Sequence, residues 1–258
     1  ETAAFHKYFY ERTGRNGSQF IAITDANTAM EARAREQNFR DIFVNPTDIG
    51  GRFSALSYFG LVPAALMGLD LDRIWAEAQR MMLACGPAIP AQQHPGQWLG
   101  AVLAGVGQQG RDKVVIYTSA AIESFGSWAE QLVAESTGKA GKGLLPVVGG
   151  AAATPDELSA DSLLIYLRVD GEADNEATDA VIEALKQAGH PCVTLHLSDR
   201  YALAGEFFRW EYATAVTGKL LGINPFDEPN VTEAKEATAR LLAHYQQHGA
   251  LPTLSPVL

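Results

Sequence analysis

Three short apolar runs decide the fold: KVVIYTS at Lys113–Ser119, SLLIYLRVD at Ser162–Asp170 and PCVTLHLS at Pro191–Ser198. Each is rich in β-branched and aromatic residues and bounded by polar or turn residues, which predicts buried strands. Between them lie FGSWAEQLVAEST (Phe125–Thr137) and NEATDAVIEALKQAG (Asn175–Gly189), whose apolar residues recur at helical spacing. The second of these stops on glycine, a common helix terminator. Strand, helix, strand, helix, strand is the rhythm of an open α/β sheet, because each buried strand must be covered by returning helices. A long helix through EFFRWEYATAVTGKLLG (Glu206–Gly222) and a final one, VTEAKEATARLLAHYQQHG (Val231–Gly249), close the pattern, and AAATPDELSAD reads as a polar connection.

A first round of the same rhythm precedes it. ETAAFHKYFYERTG (Glu1–Gly14) reads as a helix already under way, with Phe5 and Phe9 on its apolar spacing and no cap, so an upstream element is expected. QFIAITDANT gives a strand, AMEARAREQNF a helix and IFVNP a strand ending at the turn of Pro46. A helix from about Ser54 to Met67 follows, then DRIWAEAQRMMLACG, capped by Asp72, and HPGQWLGAVLAGVGQQG. Pro, Gln and Gly collect near residues 90–108. The chain therefore reads as 1–100, the latter part of a first subdomain, and 101–258, a second subdomain with a C-terminal helix. The class is α/β with three layers, α/β/α.

With 258 residues, 47% of them hydrophobic, the chain can bury a sizeable core, and disordered or fibrous readings are excluded. A net charge of -10 argues against broad attraction to nucleic acid or an anionic membrane. The two cysteines, Cys85 and Cys192, lack ligand-like spacing and read as buried thiols of a reducing compartment. Without an 18-residue apolar span or a basic-then-apolar leader, a soluble cytoplasmic protein is expected.

VAESTGKAGKG (Val133–Gly143) superficially resembles a phosphate-cradling loop. A Walker loop needs glycine where Val133 stands and a hydroxyl where Ala140 stands, and AEST ends a helix where that motif would begin one. Read as helix, the stretch places Gln131 and Glu135 four apart on one face, able to meet one small ligand. A pocketed carboxylate can serve as a general base, although a solvent-facing pair has the same spacing. Lys139 and Lys142 read as surface lysines. In NPTDIGGRFSALSYFGL, Gly50-Gly51 lets backbone approach a ligand and Arg52 adds a fixed charge, while Ser54 and Ser57 fall in the first turns of the next helix. A plain turn with Arg52 in a local ion pair fits the same residues.

Taken together, three segments resemble the glucose-6-phosphate isomerase family: NPTDIGGRFSALSYFGLVPAALMG its glycine-glycine-arginine signature, EQLVAESTGK its catalytic-glutamate signature, and INPFDEPNVTEAK its C-terminal lysine segment. The wording around them is similar to the isomerase portion of transaldolase/isomerase fusions. The resemblance implies a sugar-isomerase (SIS-like) fold and interconversion of glucose 6-phosphate and fructose 6-phosphate through a cis-enediol, without metal or cofactor. It implies Glu135 as the base between C1 and C2, Arg52 as the cation beside the enediolate, and Lys235 as the ring-opening and phosphate-region lysine. Gly51, Gln131 and Glu228 are implied substrate contacts. Partners so implied are a sugar phosphate, a second subunit in a homodimer and a covalently linked transaldolase domain.

Three departures stand beside the likeness. Glu228 replaces a common glutamine and Thr232 a common glutamate, and an acid near a phosphate repels it unless protonated, turned away or paired. The family's histidine segment has no match, leaving His196 and His190 as candidates for ring opening, with His94 a loop residue and the pair His244 and His248 facing solvent. The serine/threonine-rich phosphate loop that precedes a Glu-Thr pair in the family would lie before Glu1-Thr2. That leaves open a non-catalytic sugar-phosphate-binding regulator or a structural fragment. Phe207, Phe208 and Trp210 read as packing residues, and Glu206 and Glu211 as core-edge partners of Arg209.

Overall fold

The computed structural model describes residues 2–148 and 154–253. Glu1 of the opening helix and Ala151–Ala153 of the polar connection lie outside them. The elements follow in the order α1 (Thr2–Arg12), β1 (Ile21–Asp25), α2 (Ala29–Glu36), β2 (Asp41–Asn45), α3 (Tyr58–Leu66), α4 (Leu71–Ala84) and α5 (Pro95–Gln108). Then come β3 (Lys113–Thr118), α6 (Ser124–Thr137), β4 (Leu145–Val148), β5 (Ser162–Val169), α7 (Asn175–Gln187), β6 (Cys192–Leu197), α8 (Leu203–Leu221) and α9 (Pro229–His248).

Strands β3 to β6 form one parallel sheet in the order β4-β3-β5-β6. The period of two along β5 divides its residues between two cores. Leu163, Ile165, Leu167 and Val169 face the larger one, with Leu99 and Leu103 of α5, Phe125 and Leu132 of α6 and Trp210 of α8. Leu164 and Tyr166 face the smaller one, against Ile182 and Leu185 of α7. Helices thus cover both faces, the three-layer α/β/α arrangement expected. Because α5 supplies Leu99 and Leu103 to the larger core, a division at residues 100 and 101 falls inside that helix. The first sheet is a parallel pair, β1-β2, packed against α2 and α3.

Several local expectations are corrected. The strand β4 has no clear signal, since LPVV is four residues long and contains Pro146; proline is tolerated there because β4 is an edge strand. Asp70 caps α4, accepting from the amides of Asp72 and Arg73, so Asp72 sits in the first turn. Likewise Ser57 caps α3, which begins at Tyr58, and Ser54 lies before it. Phe5 and Phe9 are exposed on α1, whereas His6 and Tyr10 pack against Phe20 and His6 stacks on Phe39. His94 is fully buried and is the cap of α5, its Nδ1 accepting from the Gln97 amide at 3.1 Å. His244 and His248 stack on one another at 4.2 Å between ring centroids. The cysteines are free thiols, Cys85 buried and Cys192 partly so.

Trp210 is fully buried in the core, and Glu206 pairs with Arg209 at 3.2 Å. Glu211 differs: its Oε1 has no hydrogen-bond partner among the described residues, and burial pushes its carboxyl up to about 8. The folded chain then keeps a proton that the unfolded chain releases near the ordinary value of 4.5. Stability contributed by this group is full below that value and is lost as pH rises to about 8. Glu211→Gln should therefore stabilise the chain at pH 9 by on the order of 2–4 kcal/mol while changing it little at pH 4. Denaturant midpoints at the two pH values would check it, and equal shifts at both would contradict it.

Candidate active site

The site forms where the turn after β2, the C-terminal end of α6 and the connection from α8 to α9 meet. Asn45, at the end of β2, is buried and its Oδ1 accepts from the Tyr58 amide, which ties the Gly50–Ser57 turn back onto the first sheet. Within that turn, Gly51–Phe53 form one turn of 3-10 helix that sends Arg52 inward. Gly51 itself has open space around it, since a Cβ there would meet no described atom within 4 Å.

Arg52 is 2% exposed, and each nitrogen of its guanidinium has a partner. Nε donates to Ser136 Oγ at 2.8 Å, and Nη2 donates to the carbonyls of Pro225 at 2.9 Å and Asp227 at 3.0 Å. Nη1 reaches Glu135 Oε1 and Glu228 Oε2, both at 3.3 Å. Five N–H groups thus face five acceptors, the full capacity of the planar fork. The Trp128 indole donates to the Arg52 carbonyl at 3.1 Å, fixing the backbone from the other side. Short contacts anchor Nε and Nη2, whereas the two long ones leave Nη1 as the nitrogen most able to exchange partners.

Glu135 lies on the last turn of α6 with its side chain 19% exposed. Its Oε2 accepts from Gln131 Nε2 at 3.3 Å, as the four-residue spacing required. The Glu228 carboxyl is held below the usual carboxylate range, by its neighbour Glu135 first and then by the charges of Lys235 and Arg52. Lys235, on the first turns of α9, is 72% exposed and lies 3.5 Å from Glu228 Oε1. The acid at position 228 is therefore paired on both sides. Glu135, Arg52, Gln131, Glu228 and Lys235 form one connected group, and Gly51 adjoins it.

His196 and His190 do not join this group. α6 runs back along the sheet, so Glu135 lies toward the N-terminal ends of the strands, beside the start of β4. His196 lies near the opposite end of β6, with Nδ1 at 3.1 Å from Asp170 Oδ1. His190 precedes β6 at the proper end, but β6 is the edge strand farthest from β4.

Lys139 is a correction: it is 9% exposed, and its ammonium donates to Asn224 O at 2.6 Å and to both the carbonyl and the carboxylate of Asp227. The Gly-Lys appearance of this stretch has a structural cause. Residues Lys139–Lys142 close a tight turn whose middle residues, Ala140 (φ 54) and Gly141 (φ 69), are both left-handed, as a type I′ turn requires. An alanine pays a steric penalty there that glycine escapes, so Ala140→Gly should stabilise the chain by about 0.5–1 kcal/mol. Thermal denaturation would show this as a rise of roughly 1–4 °C; a fall would contradict it.

Sequence reasoning also missed Ser136, Trp128 and the carbonyls of Pro225 and Asp227. Ser136, beside Glu135, has no signal of its own, and backbone acceptors leave none in a sequence. A separate apolar hollow of about 400 Å³ adjoins the Arg52 turn, lined by residues including Ala55, Leu56, Phe125, Trp128 and Phe207. No group of metal-ligating side chains occurs among the described residues, and no described helix is long and apolar enough to cross a membrane.

No family model matches the chain. A glucose-6-phosphate isomerase of Rubrobacter xylanophilus is 33% identical over 260 residues, covering 84% of this chain and 59% of the relative. One of Pediococcus pentosaceus is 30% identical over 269 residues, covering 87% of this chain and 58% of the relative. The chain thus spans about three fifths of the length of these curated relatives. Among solved structures, a hypothetical protein of Thermus thermophilus superposes with a TM-score of 0.81 at 25% identity, over 94% of this chain and 67% of that one. A glucose-6-phosphate isomerase of Chlamydia trachomatis shares the fold, with a TM-score of 0.71 at 15% identity over 94% of this chain and 56% of that one. The chain is thus similar in sequence to glucose-6-phosphate isomerases and shares the fold of one.

Proposed function

We propose that the chain carries the base of an aldose-ketose isomerase that interconverts glucose 6-phosphate and fructose 6-phosphate through a cis-enediol. The observation that carries the reading is a partly exposed carboxylate, Glu135, held against a buried, fully hydrogen-bonded guanidinium. In the open-chain aldose, Glu135 takes the proton on C2. The released electron pair forms the C1–C2 double bond, and the former carbonyl oxygen O1 gains a proton to give the enediol. Return of the proton from Glu135 to C1, with loss of the O2 proton, gives the ketose. Negative charge on the oxygens during the transfer lies beside Nη1 of Arg52, the nitrogen with the two longest contacts, and fixed positive charge at that position lowers the barrier.

Gln131 orients the second oxygen of Glu135, and Lys235 supplies a mobile donor for opening the ring. Glu228 pairs with both cations at the site and spaces them. The family likeness further supports a homodimer and, through the residues around the three matching segments, a transaldolase portion on the same polypeptide; the intact mass of the native protein tests the latter.

The test of the reaction is proton exchange. Glucose 6-phosphate incubated in deuterated water with the complete protein should gain deuterium at C2 and yield fructose 6-phosphate. Binding of the sugar phosphate without exchange would overturn the reading.

A further inference from the structure

The turn Gly138–Lys142 grips the connection between α8 and α9 at several points. Lys142 Nζ donates to Leu221 O at 2.8 Å, Lys139 Nζ binds Asn224 O and Asp227, and Asn230 Nδ2 donates to Gly138 O at 3.2 Å. That connection supplies two carbonyls to Arg52, carries Glu228 and aims the start of α9, which bears Lys235. α9 has no buried residue among those described, so its direction is set from its start, by this grip and by the contacts of Arg52. An ammonium is a costly group to bury, and the Lys139 side chain is buried with its donors spent on backbone and on Asp227.

We infer that Lys139 is a positioning residue, which sets Glu228 and Lys235 against Glu135 without touching the substrate. This rests on the proposed isomerase reading for its kinetic consequence and on geometry alone for its structural one. Glu135 and Gln131 are fixed by α6 itself, so loss of the grip displaces the ring-opening side of the site and spares the base. A misplacement of about 1 Å in such a group can cost about 100-fold in rate.

The experiment compares Lys139→Met and Asn230→Ala with the parent in the complete protein; Asn230 is exposed, so its replacement is not expected to threaten folding. Turnover is measured on glucose 6-phosphate, which must be opened, and on erythrose 4-phosphate, a four-carbon aldose phosphate unable to close a five- or six-membered ring. Lys139→Met should lower kcat/KM by about 100-fold on the cyclic sugar and by no more than about threefold on the open one. Asn230→Ala should shift the same ratio in the same direction by a smaller factor. Equal losses on both substrates would mean that Lys139 only stabilises the fold, and would overturn the inference.

Amide hydrogen exchange provides the arm independent of turnover. Lys139→Met should speed exchange in residues 223–235 while the amides of α6 stay protected; unchanged protection in 223–235, or equal loss in α6, would overturn the inference. If the parent itself turns over neither sugar, the isomerase reading fails, and hydrogen exchange alone decides whether Lys139 positions this segment.

Discussion

Arg52→Met should be the most destabilising single substitution at the site, by about 3–5 kcal/mol, because truncating one side of a buried charge network strands the other. The methionine leaves the Ser136 hydroxyl and the carbonyls of Pro225 and Asp227 without their donor, and Glu135 and Glu228 facing each other without the cation they share. Each orphaned acceptor costs about 1–3 kcal/mol if no water reaches it. Thermal denaturation should therefore shift down by roughly 10–15 °C. Arg52→Lys should recover only part of the loss, since an ammonium offers three donors from one point and cannot span α6 and the 225–228 segment as a planar fork does. A melting point for Arg52→Met within a few degrees of the parent would show that the network contributes little.

The second large effect is on rate and leaves stability almost untouched. In Glu135→Gln the amide oxygen can still accept from Arg52 and the shape is kept, but the side chain can no longer take a proton. Loss of a positioned general base costs about 100- to 10,000-fold. kcat should fall by that factor while KM stays within about threefold, since the interaction lost belongs to the transition state. Deuterium uptake at C2 should vanish in parallel. Persistent exchange in Glu135→Gln would move the base elsewhere, Glu228 being the neighbour to test next.

Much of the larger sheet and its covering helices was readable because its central strands are buried on both faces and its helices end on recognisable residues. KVVIYTS and SLLIYLRVD became β3 and β5, and NEATDAVIEALKQAG became α7. LPVV escaped because a short edge strand needs neither length nor an unbroken run of β-formers. The pairing of Gln131 with Glu135 followed from helical spacing, a local rule. Lys139 did not, because a lysine after a helix looks the same whether it faces water or a segment 85 residues later. The same limit hid the cap made by His94 and the five acceptors of Arg52: each depends on which distant backbone arrives, and polarity alone carries no address.

The acceptors of Arg52 have a consequence for the order of folding. They lie 83 and 84 residues away in α6 and 173 to 176 residues away beyond α8. Contacts of such separation close late, because the loops between them must first lose their entropy. During synthesis the guanidinium must wait in water until residues 225–228 have emerged, and it is buried only when the connection from α8 to α9 docks. Burial of Arg52 is thus a late event that reports completion: an intermediate holding every strand of the larger sheet, but lacking the turn beyond α8, would still have an open site and no matched partner for its central charge.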